Sequence, residues 1–317
     1  MKTIAQFVQT GITNLADLQA ALQLAMQLEF ATIPPYLCAQ WSIDSAQDPS
    51  QVGDMIETIV VQEMFHFALA GNMLTAIGGT PNIANPSFVP TYPTNVLPGG
   101  IAQKLAVDLQ PLSPNQLQVF MQIEYPEFPP IALALANPPA TIGAFYETIA
   151  SGFATVSPTI NPNAHFVKMG EAVQIASIAD AVAAISRIKG EGEGTQGSPD
   201  QPPADGAQFA HYYVFKEIAV GKSLVQNGGT WSFTGTPIQF PKIFNFSQSN
   251  VTPDPSIPFN QALSQLLTGL QTCWTSGQRP SISAMLNLES LGQSLIQQGI
   301  RPEFLWVAAT VGEAGVL

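Results

Sequence analysis

Apolar residues along this chain recur at alternating spacings of three and four over long stretches, the mark of helices that bury one face. Leu15, Leu18, Leu22 and Ala25 form one such row, opened by a cap at Thr13 or Asn14. It runs into Pro34-Pro35, two residues without amide protons, and these predict a kink or a stop. A second row, Val52, Ile56, Ile59, Ala70, Met73 and Ile77, predicts a helix from near Ser50 to Gly78-Gly79, with Pro81 just beyond as a terminator. Ser113-Pro114 reads as an N-cap with proline at the first helical position, opening a helix to about Tyr125. Shorter helices are expected over Ile142 to Ala154, from the Ser177 to Asp180 capping pattern to about Lys189, and over Ala207 to Val220.

Between these helices the punctuation is dense. Residues 80–112 carry Pro, Asn and Gly at short intervals and read as one long ordered connection. Residues 228–258, with Trp231, Phe233 and Phe240 among prolines, read as irregular or short β structure. Two closing helices, about Phe259 to Ser276 and Ser281 to Gln298, are joined through Gly277 to Pro280 as an antiparallel hairpin. No repeat and no sharp change of composition divides the chain. The expected organisation is therefore a single, mainly α domain over 1–317, with a core bundle at about 12–222, the irregular segment at 228–258 and the helical hairpin at 259–298.

Composition narrows the classes of function. Of 317 residues, 46% are apolar and only 10% charged, against about a quarter charged in an average soluble domain. That balance excludes a disordered chain, which pairs low hydrophobicity with high net charge. The net charge of −12 comes without a basic stripe, so neither nucleic acid nor an acidic membrane surface is an expected partner. The mean hydropathy of +0.18 invites a membrane reading. Yet the uncharged stretch from Phe128 to Tyr146 is broken by Pro129, Pro130, Pro138 and Pro139, and no transmembrane helix is expected. Cys38 and Cys273 lie in apolar helical surroundings and read as reduced, packed thiols. With no apolar leader at the N-terminus, a cytoplasmic protein is the expectation.

Because charge is so scarce, the charged residues on apolar rows stand out. Glu63 and His66 interrupt the second helical row three residues apart, on one face, where both reach a common ion. An unpaired carboxylate facing a core costs several kcal/mol. Extending the first row by four residues lands on Glu29, a second inward carboxylate. A third has two candidates: Glu147, among the small residues Gly143, Ala144, Ala150 and Ser151, and Glu124, which follows Leu117, Phe120 and Met121 as a ligand or outer partner. Of three histidines, His165 sits in an aperiodic loop and reads as a surface residue. His211 shares a row with Ala207, Val214 and Ile218, and Glu217 flanks it as a candidate outer partner. Carboxylates and imidazoles without thiolates point to iron or manganese, not to structural zinc or an iron–sulfur cluster. Two such ions held between facing helices would make a dinuclear site of the ferritin-like type, in a four-helix bundle with long loops and an added C-terminal helical hairpin. Tyr36, Tyr146, Tyr212 and Tyr213 stand near these residues in sequence, and Tyr36 and Tyr146 are the expected proton donors or hydrogen-bond partners.

The motifs Leu28-Glu29-Phe30-Ala31-Thr32-Ile33-Pro34-Pro35-Tyr36-Leu37, Gln62-Glu63-Met64-Phe65-His66, Gly143-Ala144-Phe145-Tyr146-Glu147, Gly192-Glu193-Gly194-Thr195 and His211-Tyr212-Tyr213-Val214-Phe215-Lys216-Glu217-Ile218 occur in this order. Together they resemble the ferritin-like domain of iminophenyl-pyruvate dimer synthases, enzymes that assemble chromopyrrolate-type precursors of bisindole pigments. The likeness covers about residues 12–300. It implies a ferritin-like bundle with a metal centre, secondary-metabolic oxidoreductase chemistry, and Glu193 as a ligand beside Glu29, Glu63, His66, Glu147 and His211; Glu191, two residues away, competes with Glu193. The expected function is a metal-dependent oxidoreductase with about two ions per chain, iron or alternatively manganese, acting with O2 or peroxide on a small molecule. The competing reading is a metal-binding protein without catalysis. The apolar Leu286, Leu288 and Leu291 of the closing hairpin either cover the bundle or meet a second copy of the chain.

Overall fold

Asn14 caps the longest helix by accepting the Asp17 amide at 2.9 Å. The computed structural model describes residues 2–126, 141–170, 172–192, 194, 199, 209–249, 251–279 and 282–308. A helix that the apolar pattern did not announce, α1 (Ile4–Thr10), comes first, closed by a capping box at Thr3. It is too short to show a period, yet Ile4 and Phe7 are fully buried. Then follow α2 (Leu15–Trp41), α3 (Val52–Ala76), α4 (Pro114–Ile123), α5 (Ile142–Val156), α6 (Ile178–Glu191), α7 (His211–Val220), a hairpin of β1 (Val225–Asn227) and β2 (Thr230–Ser232), α8 (Ile257–Ser276) and α9 (Ile282–Gln297). The two strands pair antiparallel with Gln226 opposite Trp231.

Pro34-Pro35 does not stop α2, which spans 27 residues with both prolines inside and runs on to Trp41. The reason is local compensation. Pro35 has no amide proton to offer the Ala31 carbonyl, and the buried Tyr92 hydroxyl donates to that carbonyl instead, at 2.7 Å. Burial of both prolines against the core offsets the rest of the cost.

α2 and α3 form the most extensive helix pair, and the other helices pack around them: α4 on α7, α5 on α6, with α3 reaching α6 and α7 and α2 reaching α5. Every position of the expected α3 row, Val52, Ile56, Ile59, Glu63, His66, Ala70, Met73 and Ile77, is buried. α8 and α9 pack on each other and on this core, turning Leu288 inward while leaving Leu286 at 61% exposure. The long connection between α3 and α4 holds only a 3-10 turn at Pro98–Gly100 and isolated bridges, as its composition suggested. Among the described residues no helix is long and apolar enough to cross a membrane. Both cysteines are buried and unpaired.

Candidate metal centre

Five helices converge on one buried group. Glu29 comes from the middle of α2, and Glu63 and His66 from α3. Glu124 follows the last residue of α4, Glu191 ends α6 and His211 begins α7. All but Glu191 lie at 5% exposure or less. Their ligand-capable atoms form two sets, Glu29–Glu63–His66 and Glu63–Glu124–His211, in each of which all such atoms lie within 4.8 Å of one another.

Glu63 belongs to both sets, and a single atom makes the join. Its Oε1 stands 3.0 Å from His211 Nδ1 and 3.7 Å from His66 Nδ1. Glu29 Oε2 lies 3.6 Å from His66 Nδ1, and Glu124 Oε2 lies 3.4 Å from His211 Nδ1. The two imidazoles are stacked, 5.8 Å between centroids. Both turn Nδ1 toward the carboxylates, because the outer nitrogens are occupied: His66 Nε2 meets Glu191 at 2.9 Å and His211 Nε2 meets the Gln62 amide oxygen at 3.1 Å. A carboxylate or amide oxygen on the far nitrogen fixes the tautomer and orientation of a metal-binding imidazole.

The carboxylates are held in turn. Tyr36 donates to Glu124 Oε1 at 2.5 Å, Tyr146 donates to Glu29 Oε1, and the Thr32 hydroxyl donates to Glu63 Oε2 at 2.6 Å. Neither tyrosine is exposed to solvent, and Tyr36 is wedged edge-on against Phe120 and Phe215. Burial, reinforced by the charges of Glu124 and Glu29, pushes the Glu63 carboxyl up to about 7. Burial by itself would depress both imidazoles. For His66 the Glu191, Glu29 and Glu63 carboxylates outweigh it and push the pKa up to about 9. For His211, Glu124 and Glu63 push it up to about 10. Glu191 is lowered: burial opposes ionisation, but His66 and Arg187, whose Nε donates at 2.8 Å, prevail.

Two observations test whether this donor set suits a metal. His211 Nδ1 is fully buried and has no aligned hydrogen bond, although Glu63 Oε1 is 3.0 Å and Glu124 Oε2 3.4 Å away. Gly192 faces the same space, and a Cβ there would stand 4.0 Å from both Glu124 Oε2 and His211 Nδ1. A buried nitrogen facing two carboxylates without an aligned hydrogen bond, and a wall without a side chain, suit an ion with oxygen and nitrogen ligands. The adjoining cavity is small, about 20 Å³, lined by Leu28, Ile142, Tyr146 and Ile188 beside the acidic group.

Glu29, Glu63, His66 and His211 thus meet as the apolar rows suggested. Glu147 does not join them. Its side chain is 64% exposed and pairs with Lys189 at 2.7 Å, because it sits on the solvent flank of α5 while Tyr146, one position earlier, points inward. Glu124 occupies the position in the group expected for it or for Glu147. Glu193 lies outside the described residues, and Glu191 reaches His66 from its outer side. Glu217 is buried but turned away: its carboxylate accepts the Leu224 amide at 2.6 Å, tying off the C-terminal end of α7. His165 is exposed. Thr32 and Gln62 escaped sequence reasoning, although one is three residues from Glu29 and the other adjoins Glu63.

A helical bundle with a buried carboxylate–imidazole centre shared by two ligand sets is the class that fold and site define. A family model described as Ferritin-like matches residues 22–220, and the chain belongs to that family. A crystal structure of a ferritin-like protein from Caulobacter vibrioides is similar over 93% of this chain and 99% of that one, with a TM-score of 0.68 at 21% identity. No curated protein matches the chain.

Proposed function

We propose that the buried group holds two ions of iron or manganese and that the loaded centre oxidises a small molecule with O2 or a peroxide. The observation that carries this reading is the pair of Glu–Glu–His sets sharing Glu63, with both inner nitrogens turned toward the shared carboxylate. Glu29 and His66 would hold one ion, Glu124 and His211 the other, and Glu63 both. Two such ions, when bound, supply electrons to the oxidant. The chain's own residues do the rest. Glu191 and Gln62 keep the imidazoles in register from behind. Tyr36 and Tyr146 each hold a proton at Oη against a ligand carboxylate, where a proton is needed as charge builds on the oxidant. Leu28, Ile142 and Ile188 keep bulk water from the centre. The resemblance to iminophenyl-pyruvate dimer synthases supports imines of indole- or phenylpyruvate as first candidate substrates.

One observation favours the second reading, a metal-binding protein without catalysis. A cavity of about 20 Å³ has room for a water-sized molecule and none for an organic substrate. Protein purified without chelator separates the possibilities. Two Fe or Mn per chain are expected, lost in Glu63→Ala and His66→Ala with helix content retained; a metal-free protein sinks both readings. Metal-loaded protein that consumes O2 with such imines supports the oxidoreductase, and metal without O2 uptake leaves the binding protein.

A further inference from the structure

A second cavity lies away from the acidic centre, between α8, the start of α9 and the connection that leads from α5 to α6. Its volume, about 530 Å³, falls within the range of small-molecule pockets, roughly 300 to 1,000 Å³. Val167, Leu266, Leu270 and Met285 give it an apolar floor, and Lys168 and Arg279 stand at its edge. Both cations are exposed, and neither makes an ion pair or hydrogen bond among the described residues. Of the ten Lys and Arg, Lys2, Lys189, Lys242, Arg187 and Arg301 pair with carboxylates, whereas the two beside this cavity leave their charge open to a ligand.

The pocket wall is built in advance. The described residues of 161–175 have no helix or strand of their own, yet the buried Asn72 of α3 fastens them with its whole hydrogen-bonding capacity. Its Nδ2 donates to the Val167 and Val173 carbonyls, both at 3.0 Å. Its Oδ1 accepts the Val167 amide at 2.9 Å and the Trp274 indole of α8 at 2.8 Å. Thr75 adds a bond to the His165 carbonyl at 3.0 Å. Gly170, at φ +50°, lies where a Cβ would stand 2.1 Å from the Phe65 ring, so the segment is pressed onto α3. A preformed apolar pocket loses little ordering entropy when a ligand enters.

We propose that this pocket binds an amphipathic organic anion, a carboxylate on an aromatic or aliphatic body, with the body on the Leu266–Leu270 floor and the carboxylate between Lys168 and Arg279. The inference does not depend on the metal reading. Calorimetric titration of the full chain with 1-naphthylacetate and with its uncharged amide tests it. The anion is expected to bind tighter than the amide by about twofold to thirtyfold at low salt, the range for two exposed ion pairs, and less so at high salt. In the double variant Lys168→Gln/Arg279→Gln the ratio falls to one while amide binding persists. Leu270→Trp, which fills the floor, abolishes both, and Leu266→Phe narrows the same floor should the first variant fail to fold. Failure of both ligands to bind, equal binding of acid and amide, or an anion preference that survives loss of both cations overturns the proposal.

Discussion

Loading the acidic centre with metal should expel protons, and the number follows from the side chains that surround it. With pKa values pushed up to about 7 for Glu63, about 9 for His66 and about 10 for His211, the metal-free protein at pH 7 carries half a proton on Glu63 and nearly one on each imidazole. A metal ligand must be deprotonated. Filling both ligand sets at pH 7 therefore releases about 2.5 protons per chain, and about two at pH 8, where Glu63 has already ionised. Apparent affinity rises with pH by the same number of powers of ten per unit. Titration of chelator-stripped protein with Mn2+ in weak buffer, read by an indicator dye, counts them directly. His211→Gln should release about one proton fewer. Full metal uptake with less than about one proton released would refute the reasoning, because the imidazoles would then be neutral in the metal-free fold.

Tyr146→Phe keeps the packing of a fully buried ring and removes the donor to Glu29; a loss of about 1–3 kcal/mol in denaturant unfolding is expected from the carboxylate oxygen left unsatisfied. Glu147→Ala, on the exposed flank of α5, should change stability by less than about 0.5 kcal/mol and leave metal content unaltered; loss of metal would show that Glu147 is a ligand after all. Asn72→Ala removes four hydrogen bonds from a buried side chain, and a loss of about 3 kcal/mol or more is expected, with amide exchange accelerated across residues 165–173. Chelated protein should melt at progressively lower temperature as pH rises from about 5 to 10. Each of the three pKa values is raised in the fold, so the stability they contribute is present at low pH and fades as pH climbs through about 7, 9 and 10.

How much of this was legible in the sequence depends on where each donor sits. Glu29, Glu63 and His66 lie inside long helices, and a polar residue on an apolar row is visible from spacing alone. Glu124, Glu191 and His211 lie at the ends of α4, α6 and α7, where the row gives out and the direction of a side chain is set by how the chain turns. That explains the exchange of Glu147 for Glu124: small neighbours on α5 suggested an approach surface, but one step of about 100° around the helix separates the inward Tyr146 from the outward Glu147. The uninterrupted α2 was hidden for another reason. The group that replaces the missing proline amide, Tyr92, comes from a connection 61 positions along the chain from Ala31, and no local rule sees it. The pocket fastened by Asn72 was equally invisible, since its wall has no period at all.

The same proton inventory explains how such a group survives burial without a metal. Three carboxylates, Glu29, Glu63 and Glu124, face two imidazoles. With both imidazoles protonated the sum is one negative charge, and a proton on Glu63 removes it. The hydrogen bonds accommodate that assignment. The Thr32 hydroxyl lies 2.6 Å from Glu63 Oε2 and 2.7 Å from the Glu29 carbonyl, but it has one proton to give. If Glu63 is protonated it donates to Thr32 while Thr32 donates to the Glu29 carbonyl; if Glu63 is ionised, Thr32 donates to it and the Glu29 carbonyl keeps the Ile33 amide of α2, so both forms are satisfied. Protons thus occupy the electrostatic place of cations in a core too apolar to leave three carboxylates unbalanced. Folding and metal binding are then separable near neutral pH, unlike in domains that unfold when their metal is removed, and chelated protein should keep its helix content at pH 6 to 7. Glu63→Gln makes the neutral form permanent, so it should flatten the first part of the decline of melting temperature with pH in the chelated protein while removing the oxygen that joins the two ligand sets.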